Sequence, residues 1–359
     1  MRVHAPLRRL TAAAAICAMA MSFALPAQAA TYTAQRVKLT HDIGAGCNVA
    51  GINDAGQLSG GCFTADELFS VGSVTEAKGK KPTDFGLLGG IDSYGYDINN
   101  NGVVVGEATL PGDVIYHAVL RKPGDAGLTD LGTLGGSYAY AAGINDNGQI
   151  VGYSYTADDA QGQIFVASLA DTRLVNLGAV NDVTSSTPVG INGKGVIAGY
   201  GYTAASPNYT HAFYAKPPKY KFIDLGTLGG AISLATAISD NGLVVGYSKI
   251  DSSSFRRAFI ADINQGGVMK DLGTPAGLNT RAYGVNNHGQ VVGSYLLADG
   301  VTYAPFMCSG DCSDFVDLNT VTGGLPEGVL LTSARIINKK GRIVAHGSDG
   351  YAYLLTPQQ

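Results

Sequence analysis

Seven side chains suited to holding a ligand stand a few residues ahead of an Ile-Asn or Val-Asn dipeptide: Tyr94, Tyr96, Tyr138, Tyr140, Arg281, Tyr283 and Arg335. Tyrosine and arginine combine a flat apolar face with hydrogen-bonding groups, which suits a polar ligand such as a sugar. Alternate side chains of a strand point to opposite faces, so part of this set also serves packing. Covalent and acid–base chemistry finds little support. The chain has no GxSxG, no HExxH, no phosphate loop and no GxGxxG between a strand and a helix. The carboxylate pairs Asp92 with Asp97 and Asp158 with Asp159 have the residue types for acid–base work, although such pairs are more often solvated loop charges. His41, His117, His211, His288 and His346 are scattered, and no CxxC accompanies them, so zinc is not indicated. No catalytic residue, metal or cofactor is assigned.

These positions recur because the chain repeats. Gly143 to Gly152 reads GINDNGQIVG, and relatives of it start at Gly51, Asp97, Gly190, Ala237, Gly284 and Ile336. The turn glycines Gly56, Gly102, Gly148, Gly195, Gly242, Gly289 and Gly341 lie 46, 46, 47, 47, 47 and 52 residues apart. A second marker of the same period is Asp130-Leu131-Gly132, seen again at Asp84, Asn176, Asp224, Asp271 and Asp317. A third is His211-Ala212-Phe213, with His117, Arg257 and Tyr351 at the first position elsewhere, which marks the two histidines as architectural. Each unit holds four short β-type runs separated by Gly, Asn and Asp turns, the pattern of a propeller blade. The expected fold is all-β, a seven-bladed β-propeller of four-stranded blades formed by residues 30–359. In the Ile-Asn-Asp-Asn-Gly turn the Asn and Asp side chains should cap local backbone N–H groups while Gly takes a positive φ. The residue after Asn varies and no 12-residue ligand loop follows, so calcium is not indicated.

The last unit ends after three runs, whereas Tyr32 to Thr40 is an unassigned run, with Leu39 thirteen residues before Ile52 as Leu131 is before Ile144. The N-terminal run should therefore join the C-terminal blade and close the ring, leaving no exposed edge. A hairpin turn centred between Asp54 and Ala55 places Cys47 opposite Cys62, within disulfide range. Cys308 and Cys312 flank a Ser-Gly-Asp turn and should clip another hairpin.

Fifty glycines, no tryptophan and 14% charged residues in a chain of 359 exclude coiled coils and charge-rich disorder. The net charge of −4 supplies no basic footprint for nucleic acid. Residues 1–29 read as a secretory signal peptide: Arg2, Arg8 and Arg9, an uncharged run from Leu10 to Leu25, then Ala27-Gln28-Ala29. That run is shorter than the roughly 20 residues a membrane span needs, and no other stretch qualifies. Removing three arginines takes the net charge from −4 to −7 and leaves four cysteines, an even number that suits an oxidising compartment, extracellular or periplasmic.

The GINDNGQIVG turn, the DLGTLGG run at Asp130 and Asp224, and His211-Ala212-Phe213 together resemble the HAF-repeat family of probable extracellular bacterial repeat proteins. The resemblance implies bacterial export and a repeat fold, and transfers no catalytic residue. The sequence varies most between second and third strands, at Glu107 to Ile115, Tyr155 to Gln163, Tyr202 to Thr210 and Lys249 to Arg256. These loops should gather on the face opposite the Asn-Gly turns. The expected function is non-enzymatic binding of a glycan or protein through that loop-rich face. Its rivals are a polysaccharide hydrolase or lyase with its site at the channel mouth, and a purely structural envelope protein.

Overall fold

The computed structural model describes residues 31–39, 47–63, 69–178, 186–203, 206–251, 255–275 and 279–358. The proposed leader, its Cys17, and His41 lie outside these residues. All of the regular structure is strand, apart from single turns of 3-10 helix such as Leu318–Thr320. Among the described residues no helix is long and apolar enough to cross a membrane.

Four sheets are separate four-stranded meanders. They start at Cys47–Ile52, Ser186–Ile191, Ser233–Ile238 and Thr280–Val285, and each ends near its DLG marker. A fifth sheet joins Tyr32–Arg36 to Ala352–Pro357, followed by Ile343–Gly347 and Leu331–Ile337, with the short Thr322–Gly323 on its outer edge. The strands from Ser93 to Asn176 form one eight-stranded sheet. The propeller architecture and the four-stranded blade stand, but the expected number of blades does not: five sheets are separate blades, not seven. The cause lies in one inner strand. Gly135–Ile144 has 10 residues where Ser93–Ile98 has 6, and its extra length pairs Tyr138 in parallel with Tyr116 of the preceding meander.

Neighbouring sheets pack face to face, so their middle strands are buried on both sides. Gln290–Leu296 is buried at six of its seven positions. Phe165, Phe213, Phe259 and Phe306, one from each of four successive third strands, are fully buried. They explain the glycine of the VVG-type runs. A Cβ at Gly152 would collide with the ring of Phe165 and the carbonyl oxygen of Tyr140, and Gly199 and Gly293 are enclosed in the same way.

The Ile-Asn turns form a ring. Within one turn the Asn53 carbonyl accepts the Gly56 N–H at 2.9 Å, and Gly56 has a φ of 80°, where other residues are strained. Asn53 Oδ1 accepts the N–H groups of Ala55 and Gln57 at 3.1 and 3.0 Å. Its Nδ2 donates outward to the carbonyl of Asn99, the equivalent residue 46 positions on, at 3.1 Å. Asn99, Asn145 and Asn192 repeat that donation, as do Asn286 and Asn338, the last reaching back to Asn53 at 2.9 Å. Ser239 interrupts the series, and there Asn241 donates to Asn287 instead.

Each inner strand leading to these turns carries a β-bulge at the same place, two residues before the Ile or Val of the turn. The unpaired residues are Ala50, Tyr96, Ala142, Val189, Thr236, Tyr283 and Arg335. In the first hairpin the turn centres on Ala55, because Ile52 pairs with Leu58, and the bulge at Ala50 shifts the register back so that Cys47 faces Cys62. These two cysteines are disulfide-bonded with Cα atoms 4.0 Å apart. Cys308 is bonded to Cys312 and ties the turn after Tyr303–Ser309.

Candidate functional site

A bulge leaves one residue without a cross-strand partner and turns its side chain away from the ladder. All seven bulged residues line one cavity of about 430 Å³, enclosed by the inner strands. Four of the seven are small or aliphatic, Ala50, Ala142, Val189 and Thr236, and the space they leave is faced by Tyr96, Tyr283 and Arg335. Tyr283 and Arg335 also line a second cavity of about 440 Å³, together with Asn48, Tyr200, Leu234 and Tyr247. At the opposite end the Asn ring surrounds a pocket of about 190 Å³. Lys339 spans it, its Nζ 2.9 Å from Asp240 and 3.3 Å from Asp146. Burial works to raise both carboxyls, yet hydrogen bonds from Asn100 and Asn287 and the charge of Lys339 hold them below the usual carboxylate range.

On one side of the channel, seven tyrosines form a continuous cluster. Tyr94, Tyr96, Tyr140, Tyr138 and Tyr116 follow one another with ring centroids 4.9 to 5.8 Å apart, and Tyr153 and Tyr155 complete it. It lies where the long inner strand fuses two meanders into the eight-stranded sheet. Glu107 sits among these rings and accepts the Tyr96 hydroxyl at 3.0 Å through Oε1, while Oε2 is buried without a hydrogen-bond partner. Burial pushes the Glu107 carboxyl up to about 7, against the hydroxyls of Tyr138 and Tyr96, which favour its ionised form. Burial and the Glu107 charge in turn raise Tyr94 to about 12 and carry Tyr96 and Tyr138 further upward. Asp97 lines the 430 Å³ cavity and is half-buried. Desolvation raises its carboxyl to about 6 although the N–H groups of Ile98 and Ile144 bind its two oxygens.

The other side is basic. Arg335 stacks over Tyr283 at 4.5 Å. Arg281 and Arg256 both approach Tyr247, at 5.4 and 5.5 Å, and Arg281 also approaches Tyr303 at 5.9 Å. Arg281 Nε and His346 Nε2 are buried without hydrogen-bond partners. Burial and the nearby Arg335 charge lower the pKa of His346, which favours the neutral ring.

Similarity to known proteins agrees with this architecture. Residues 167–299, less than half of the chain, match a family described as protein of unknown function (DUF3466). No curated protein matches the sequence. A prolyl endopeptidase superposes with a TM-score of 0.56 at 10% identity, over 92% of this chain and 50% of its own. The propeller domain of the trilobed protease from Pyrococcus furiosus, described as having an open velcro topology, gives 0.55 at 8% identity, over 84% of this chain and 91% of that one. A puromycin-hydrolyzing peptidase of Mycobacterium tuberculosis gives 0.50 at 13% identity, over 88% of this chain and 50% of its own. The chain is a β-propeller. It spans about half the length of the two peptidases, and at these identities the likeness is one of fold.

Of the residues singled out from sequence, Tyr96, Tyr283 and Arg335 are bulged residues of the propeller channel, and Tyr140 lines the same cavity. Tyr94 and Tyr138 belong to the tyrosine cluster, and Arg281 reaches the mouth through Tyr247. The carboxylates Asp92 and Asp97 do not act as a pair: Asp92 accepts Ser70 and Tyr116, and Asp97 accepts backbone N–H groups. His117 and His211 hold Asp130 and Asp224 of the DLG markers at 2.8 and 2.9 Å, and Arg257 approaches Asp271 at 3.6 Å, so this basic position clasps third strand to fourth. Sequence reasoning missed Thr236, Tyr200, Tyr247, Glu107 and His346. The last four share one register position, the residue after the glycine or alanine of the second strand, opposite Thr187, Leu234, Tyr94 and Ser333. The repeated Gly-Tyr at Gly152, Gly199 and Gly246 was the available signal for that position.

Proposed function

We propose that this protein is an exported, non-enzymatic binding module that seats a glycan in the mouth of its channel. The observation that carries the reading is the ring of bulged residues: seven side chains without ladder partners enclose about 430 Å³, open to a further 440 Å³ walled by Tyr200 and Tyr247. Ligand cavities of roughly 300–1,000 Å³ with aromatic walls and a few convergent polar groups suit small or segmental ligands. A recessed aromatic funnel accommodates a short run of sugar rings better than the broad face of a folded partner. Two disulfides, the leader and the HAF-like repeats support export. The test is a thermal-shift screen of the protein against soluble oligosaccharides and cell-wall fragments. A ligand at about 100 times its dissociation constant adds about 2.7 kcal/mol of stability. Tyr283→Ala and the channel-filling Ala142→Phe should both abolish the shift. No shift from any glycan would refute the reading.

One observation favours a glycan-cleaving enzyme as the second reading. Glu107, raised to about 7 among tyrosine hydroxyls, keeps its proton in about half of the molecules at neutrality and has the character of a general acid. Release of reducing ends or of unsaturated sugars by the wild type, lost in Glu107→Gln, would move the assignment from binder to enzyme.

A further inference from the structure

We infer that the channel mouth is a receptor for a carboxylated glycan, with the sugar carboxylate held by Arg335 and Arg281. The inference rests on the binding reading above and adds the charge of the ligand. Elsewhere among the described residues the arginines are engaged, Arg36 by stacking over Tyr351 at 3.3 Å. Arg173 pairs with Asp171 and Arg257 with Asp271, while Arg121 and Arg342 donate to backbone carbonyls. Arg256, Arg281 and Arg335 differ: each stacks on a tyrosine at the mouth, and among the described residues none has a carboxylate within ion-pair distance. Three guanidinium charges so placed in a chain of net charge −4 form a local electropositive wall.

The polar groups of this wall are incompletely used. Arg335 makes a single side-chain hydrogen bond, from Nε to Ser333 Oγ at 3.3 Å, which leaves its two terminal nitrogens to the cavity. Arg281 Nε is buried and unsatisfied, as is His346 Nε2 on the strand beside Arg335. A buried donor without an acceptor costs free energy that an arriving anion recovers. A guanidinium fork matches a carboxylate bidentately, and stacking on Tyr283 pre-orients that fork. The acidic group in the same cavity does not compete, because both oxygens of Asp97 already bind backbone N–H groups. The tyrosine faces across the channel then take the sugar rings, and only the Arg335 side accepts the charge.

The experiment is titration calorimetry at low salt on protein expressed from the full sequence, using tetragalacturonate, its fully methyl-esterified form and neutral cellotetraose. The acid should bind at least about tenfold more tightly than its ester and weaken as salt is added. Arg335→Gln and Arg281→Gln should each lose about tenfold for the acid only, and Arg335→Lys should recover part of the loss, since charge is kept but the fork is not. Melting curves confirm that each variant is folded. Equal binding of acid, ester and cellotetraose, unchanged in Arg335→Gln, would overturn the charge inference and leave the binding reading standing. Binding of none of the three would overturn the charge inference, and the absence of a shift across the wider glycan screen would overturn the binding reading as well.

Discussion

Glu107 and the turn asparagines show how much one side chain carries here. The Glu107 carboxyl titrates near 7 in the folded chain, against an ordinary value of 4.5, so the native state holds this proton more tightly than the unfolded state does. Its favourable contribution is complete below about pH 4.5 and is lost as pH rises through 7. Asp97, raised to about 6, acts with the same sign over a lower window. Asp146 and Asp240 act oppositely: their carboxyls are held low, so the stability they supply is lost as pH falls below the usual carboxylate range. Melting temperature should therefore peak in mildly acidic buffer and fall by several degrees towards pH 8. Glu107→Gln should flatten that fall, and an unchanged slope in the variant would refute the assignment. The asparagines were half legible. Their type and place before an Asn-Gly turn show the local cap that Oδ1 makes, but not the donation from Nδ2 to the next repeat, because that partner lies 46 residues away. Asn145→Ala should cost about 1–3 kcal/mol by leaving the Asn147 and Gln149 N–H groups without their acceptor and taking from the Asn192 carbonyl its second donor, where a purely local cap would cost less.

At the scale of the element, the bulge decides which side chains face the channel. Repeat spacing located the inner strands and the centre of the turn placed Cys47 opposite Cys62, yet that register assumed a ladder without interruption, and an inserted residue leaves no mark in composition or period. Three of the seven expected ligand residues prove to be bulged, because the bulge falls two residues before the Ile or Val of the turn in every unit. The length of Gly135–Ile144 was hidden for a similar reason: the Gly-Gly-Ser run ahead of Tyr138 reads as a turn, but its Gly135 pairs with Thr156 and carries the strand on. The strand glycines supply the test. The bulged inner strand presses the Tyr140 carbonyl against Gly152, and the Phe165 ring closes the other side. Gly152→Ala should destabilise by about 1–3 kcal/mol through overpacking, more than the usual small effect of Gly→Ala in a strand. Equal stability in urea would show that the bulge yields easily and does not fix the channel wall.

The whole molecule is held as a ring by contacts between residues that lie far apart in sequence. Tyr32–Arg36 pairs antiparallel with Ala352–Pro357, and Tyr32 and Ala34 are buried in the cluster that includes Leu331, Ala345 and Leu355. At the turn end, Asn338 donates to the Asn53 carbonyl, Lys339 N–H to Asp54 and Arg342 to the Asp54 carbonyl. The strand and the turn ring thus close the same seam at different places, and the channel keeps its width only while both hold. Removing residues 1–36 takes away the outer strand and its buried tyrosine but leaves the turn contacts intact. Burial of the lost apolar side chains, at about 1.5–3 kcal/mol each, sets the cost at several kcal/mol, which should lower the melting temperature by about 10 °C or more. The expected calorimetric trace broadens or splits, because the end sheet then unfolds ahead of the rest. A circular permutant that joins residue 358 to residue 31 through a short linker and opens within 111–115 should keep the wild-type transition, since every strand retains its partner. If the truncated chain melted like the intact one, the seam would depend on the turn ring alone, and the N-terminal strand would be dispensable to the channel it encloses.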